Sequence, residues 1–232
     1  LSTNFTSVKA ADSNAPVAIT TTLTSAAHVK ALNALAGNYS GAITATVTST
    51  EAILDDITGS LLNTTVTVTD DVSIAEYDII KATTANAVQF HDSTGMIKDS
   101  IGNLYSASGT NNRVTSLDNA IKGDLNMNIQ VDGAVESNFS QVNDIAGDTY
   151  VGSLTATMSG TAAQLGVSLS NLSGTGTHAD SITHNVSDAA TVAELAAMAG
   201  NTDQTISDSG IKDNLSNLVA VSYTHLTLPT KL

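Results

Sequence analysis

SITHNVSDAATVAELAAM, Ser181 to Met198, carries two periodicities in eighteen residues. Ser181 to Val186 alternates, as a strand with one buried face does. Val192, Leu195 and Met198 then recur every three residues, as the inward stripe of a short helix does. Ser187 or Asp188 starts the turn between them. Thr191 and Glu194 have the spacing of a capping box if the helix begins late.

The same construction runs outward from this stretch. AITATVTSTEAILDDI, Ala42 to Ile57, sets Ile43, Ala45 and Val47 on one strand face and Thr44, Thr46 and Thr48 on the other, then spaces Ile53 and Ile57 four apart. AITTTLTSAAHVKALNAL, Ala18 to Leu35, ends its strand at Leu23 and gives the stripe Val29, Leu32, Leu35. TVTVTDDVSIAEYDII, Thr65 to Ile80, offers Val66 and Val68, then Ile74, Tyr77 and Ile80. Next come Val88 and Phe90 with the stripe Ile97, Ile101, Leu104, and a poorer unit with a strand at Val114 and a stripe at Ile121 and Leu125. Ile129 to Ile145, Ser153 to Leu169 and Thr205 to Leu218 complete the series. The strand-closing residues Leu23, Val47, Val68 and Phe90 lie 24, 21 and 22 positions apart.

A unit of that size cannot bury its own apolar face, but stacked neighbours can. The expected fold is therefore α/β: a strand–helix solenoid, with a parallel sheet on one side and short helices on the other. The alternative is a parallel β-helix. The expected organisation is an irregular segment at 1–17, about nine units of roughly 22–24 residues over 18–220, and a frayed or artefactual tail at 221–232. That tail, VSYTHLTLPTKL, resembles translated sequencing-adapter read-through, so His225 and Lys231 carry no functional expectation. The chain begins at Leu1, and a fragment is expected.

Composition bounds the function. Eight basic and 22 acidic residues give a net charge of −14. That argues against nucleic acid, which needs a basic footprint, and against an anionic membrane surface. Absence of cysteine excludes disulfides and thiolate zinc sites. No apolar run approaches the length of a membrane helix, so no membrane insertion is expected.

Acids and hydroxyls recur after the strands, at Ser49, Asp70, Asp92, Asp188 and Asp208. We read them as helix caps, with Thr48 and Glu51 spaced as a capping box. The other reading is a ladder of calcium ligands, but no calcium-loop motif is present. No resident cofactor is expected, only weak surface calcium. Thr44, Thr46, Thr48, Thr65, Thr67, Thr69, Thr155 and Thr157 line outward strand faces, which suits exposed sheet. His178 and His184 flank Asp180 without a metal motif, and Asp55–Asp56 and Asp70–Asp71 do not converge as catalytic pairs do. No serine-hydrolase elbow or phosphate loop occurs. The expected site inventory is empty: catalytic none, cofactor-binding none, metal none. No enzyme is expected.

TVTVTDDVSIAEYDII, LTATMSGTAAQL and HNVSDAATVAELAAM resemble repeats of very large surface or secreted proteins of marine bacteria, of the adhesin and cell-surface-layer type. The resemblance implies an extracellular or cell-surface spacer or adhesion segment, with other surface proteins or glycans as partners. The alternatives are a carbohydrate-active, lyase-like β-helix domain and an ice- or glycan-binding module.

Overall fold

The computed structural model describes residues 17–22, 25–38, 43–57, 63–91, 94–107, 109–166, 181–198, 203–206 and 210–218. Over these, strands and short helices alternate. In order they are β1 (Val17–Thr22), α1 (Ala26–Asn38), β2 (Ile43–Ser49), α2 (Glu51–Leu54), β3 (Asn63–Val68), β4 (Asp71–Val72) and α3 (Ile74–Ala82). There follow β5 (Val88–Phe90), β6 (Met96–Ser100), α4 (Ile101–Leu104), α5 (Thr115–Gly123), β7 (Met127–Val135) and α6 (Phe139–Ala146). Last are β8 (Val151–Gly160), α7 (Ala162–Leu165), β9 (Ser181–Val186), α8 (Val192–Met198) and β10 (Asp203–Ile206).

The α/β class is as the sequence indicated. The strands are shared between two sheets, of order β1-β2-β3-β5 and β10-β9-β8-β7-β6-β4. Every strand pairing with a described register is parallel. The chain divides into two compact lobes. The first lies within Leu1–Ala107, Asn111–Gln130 and Thr149–Gly152, and the second within Ser108–Thr110, Val131–Asp148 and Ser153–Leu232.

In the first lobe, alternation sets the sheet. Ala45 and Val47 of β2 are buried, as are Val66 and Val68 of β3, while Thr44, Thr46 and Thr65 are exposed. β3 and β4 are separated by Thr69 and Asp70 alone, and each joins a different sheet. β5 and β6 repeat this split. The turn between them passes so close to β3 that a Cβ on Gly95 would lie 2.5 Å from the Val68 carbonyl oxygen. Val29, Leu32 and Leu35 of α1 are buried, as are Ile74, Tyr77 and Ile80 of α3. Each large side chain so buried stabilises the fold by about 1.5–3 kcal/mol.

The middle of the chain departs from expectation. Val114 is the N-cap residue of α5 rather than a strand residue, and its neighbour Arg113 makes one isolated antiparallel bridge to Tyr105. The α5 stripe is Leu117, Ala120 and Ile121, while Leu125 is 62% exposed. Ile97 lies in β6, not on the helix with Ile101 and Leu104. Beside this step the edge of β5 is occupied by side chains. Asp124 Oδ2 accepts from the Phe90 N–H at 2.5 Å, and Gln89 Nε2 donates to the Gly123 carbonyl at 2.6 Å.

In the second lobe, β8, β9 and β10 are neighbours in sequence order. Leu154, Ala156, Met158, Ile182 and Val186 are buried, with Thr155 and Thr157 exposed between the first three. Val192 and Leu195 of α8 are only half-buried. Ile211, Leu215 and Leu218 of the last unit are exposed, contrary to an inward stripe.

Candidate functional site

Among the described residues, the strand-to-helix turns hold a recurring set of side-chain hydrogen bonds. At α3, the Ser73 hydroxyl accepts from the Glu76 N–H at 3.3 Å and Glu76 Oε2 accepts from the Ser73 N–H at 2.6 Å. Thr161 and Gln164 make the same box at α7. At α8, Glu194 Oε2 accepts from the Thr191 N–H at 2.7 Å and the Thr191 hydroxyl accepts from the Glu194 N–H at 3.2 Å. The helix does begin late there. The Thr48–Glu51 box does not form, because α2 starts two residues further on: its N-cap is Thr50, which makes no side-chain cap bond, and Glu51 is its first residue. Ser49 is a buried residue at the end of β2 and not a cap.

Four aspartates reach back to the helix that precedes them in the chain. Asp70 Oδ1 accepts from the Glu51 N–H at 2.7 Å, and Asp99 Oδ2 from the Ile74 N–H at 3.0 Å. Asp188 Oδ1 accepts from the Ala162 N–H at 2.7 Å, and Asp213 Oδ2 from the Val192 N–H at 3.0 Å. In each case the donor is the first residue of the preceding helix and the acceptor lies 19 to 26 residues later. Asp92 and Asp208 lie outside the described residues.

Asp99 and Asp213 also share a sequence setting that a search by strand spacing passes over. Ile97-Lys98-Asp99-Ser100-Ile101-Gly102-Asn103-Leu104 is matched by Ile211-Lys212-Asp213-Asn214-Leu215-Ser216-Asn217-Leu218. Oδ1 of each aspartate accepts from the next residue's N–H at 2.7 Å and from the amide of the asparagine four residues on, at 2.7 Å and 2.8 Å. These bonds, led by that from Asn217, hold the Asp213 carboxyl below its usual range. Burial, then the Glu76, Asp55 and Asp70 carboxylates, raise Glu51.

The acids and histidines considered from sequence that lie among the described residues are spread over separate elements. Asp55 and Asp56 are exposed after α2, and Asp71 is exposed while Asp70 turns to Glu51. His28 and His91 are exposed, and His178 and His225 lie outside the described residues. His184 is buried in β9, edge-on to Phe139 with ring centroids 6.1 Å apart, and burial lowers its pKa. The buried Tyr77 phenol is pushed up to about 12, by burial first and then by Asp78. Among the described residues, no group of three or more His, Asp or Glu side chains is placed to hold a metal ion. Among them, too, no helix is long and apolar enough to cross a membrane.

The threonine faces do line up. Register pairs Thr46 with Thr20 and Thr65, and Thr48 with Thr22 and Thr67. Thr44, Thr46 and Thr65 are exposed, whereas Thr48 and Thr67 are half-buried.

No family model matches the chain, and no curated protein or solved structure matches it either.

Proposed function

We propose that the chain is a structural segment of a bacterial cell-surface or secreted protein, a strand–helix solenoid that serves as spacer or adhesion stalk. The observation that carries this reading is the aspartate bond from one unit to the helix start of the unit before it, made four times with the same donor position. Such bonds tie neighbours together and present no group to a substrate. In a stacked array each unit contacts its neighbours and little else, so stability is nearly a sum over units and interfaces. The acidic surface keeps such an array soluble.

The test is removal of one whole unit. Deleting residues 48–68 joins Val47 to Thr69 with the strand phase kept. An array is expected to refold cooperatively, with a smaller denaturant m-value and no loss of helix or strand signal beyond the deleted share. A chain that collapses without cooperative unfolding overturns the solenoid. Incubation with acidic polysaccharides adds a chemical arm: release of unsaturated sugar ends would favour the lyase-like alternative and overturn the structural role.

The aligned threonines favour a second reading, recognition of an ordered surface such as ice or a glycan. Thr46→Lys with Thr65→Lys would abolish ice-recrystallisation inhibition or polysaccharide retention if that reading holds. Absence of both activities in the unaltered chain removes it.

A further inference from the structure

A helix start leaves several N–H groups without intrahelical partners. At α3, α7 and α8 the helix's own capping hydroxyl takes the N–H of the third residue. The N–H of the first residue is taken by an aspartate of the following unit: Asp99 for Ile74, Asp188 for Ala162 and Asp213 for Val192. At α2, whose Thr50 side chain makes no cap bond, Asp70 supplies the side-chain acceptor alone, at Glu51. Each of these four helix starts is thus completed from further along the chain.

We propose that these aspartates are latches that act backwards along the chain, so that damage at one turn loosens the helix before it. At Asp70, whose bond runs to Glu51, the helix that follows is spared, whereas Asp99 and Asp213 also hold the residues just after them through Oδ1. The polarity comes from the fold. A helix follows its strand, and the next parallel strand ends beside that helix's first turn. An acidic residue placed there meets a free N–H and the positive end of the helix dipole together. The bond occurs in both lobes: Asp70 and Asp99 with their donors lie in the first, Asp188 and Asp213 with theirs in the second, Asp213 following not a strand but the parallel bridge of Ile211 with Ala190. A local capping role, the ordinary one for aspartate before a helix, would act on α3 for Asp70, because α3, capped by Ser73, is the next helix along the chain after the two residues of β4.

Hydrogen exchange on the full chain separates the two. In Asp70→Ala, amides of Glu51, Ile53, Leu54 and Asp55 are expected to exchange faster by on the order of fivefold to thirtyfold, the loss of one cap. Amides of Ile74–Ala82 should hold their protection. Asp70→Asn keeps an acceptor oxygen and should restore Glu51–Asp55. Faster exchange confined to Ile74–Ala82, or spread evenly over the chain, overturns the proposal, as does failure of asparagine to rescue. If Asp70→Ala does not fold, Asp213→Ala gives the reading nearer the end of the described chain. Faster exchange at Val192–Leu195 supports the latch, and unchanged exchange there overturns it.

Discussion

Gly152 and Gly102 both sit in regular structure, yet a methyl group would have opposite effects at the two. A Cβ on Gly152 would lie 2.1 Å from the Asn126 carbonyl oxygen and 2.7 Å from its carbon, both backbone atoms that cannot swing aside. Asn126 is itself fixed, with a positive φ of 82° and its N–H donated to the Tyr150 carbonyl at 2.8 Å. Gly102 lies in α4 with nothing within 4 Å of the added carbon. Gly152→Ala is expected to cost about 3 kcal/mol, the upper part of the overpacking range. Gly102→Ala should stabilise by about 0.5–1 kcal/mol, because it removes unfolded-chain freedom in a helix. Urea unfolding at constant m-value measures both, and equal effects of the two changes would refute the contact at Gly152. Neither outcome could be read from the sequence. Gly102 lies inside the stripe of Ile101 and Leu104, whose spacing does not say that the space around it is open, and the approach of Asn126 to Gly152 depends on how β8 enters its sheet.

Helix starts show what was legible at the scale of an element. Ser73 with Glu76 and Thr191 with Glu194 carry their pairing in a spacing of three, and both boxes form. Thr48 with Glu51 has that spacing too, but α2 begins at Glu51, so the carboxylate sits in the first turn position instead of the third. Spacing states which residues could meet and leaves the start of the helix to tertiary contacts. The same holds for Leu54: its fully buried side chain is the anchor of α2, yet a four-residue helix is too short to display a stripe. The contrast gives a prediction. Ser73→Ala removes a cap bond and should lower stability by about 1 kcal/mol, whereas Thr50→Ala removes none and should cost a few tenths, about 0.3 kcal/mol. Similar losses at the two sites, measured by denaturant midpoints, would contradict the assigned caps. The cross-unit aspartates were hidden for a different reason. Asp70 and Glu51 are 19 residues apart, and only the parallel register of β2 and β3 brings the end of one strand beside the helix that follows the other.

At the scale of the whole molecule, three of the shifted groups among the described residues bear on stability at and below neutral pH. His184 has a pKa lowered by burial, so its contribution is complete above its ordinary value of 6.5 and is lost as pH falls through the lowered folded value. Glu51 is raised, by burial first, so its contribution is complete below its ordinary 4.5 and is lost as pH rises through the raised folded value. Asp213 is lowered, by the Asn217 bond first, so its contribution is complete above its ordinary 3.8 and is lost as pH falls through the lowered folded value. The order of these windows matters more than any one of them. From neutral pH downward His184 acts first, and its effect dominates because its ring is buried against Phe139 while Glu51 and Asp213 remain partly solvated. Protonation must then place a charge among Ile182, Val186 and Met158 or open the sheet that holds them. The melting temperature is therefore expected to fall between about pH 7 and 5, the range in which histidine titrates. His184→Gln, neutral throughout that range, should flatten this limb whatever its effect on absolute stability. It should leave the acid-side loss from Asp213 in place. A limb that persists unchanged in His184→Gln would move the acid sensitivity to other groups and remove His184 from the account.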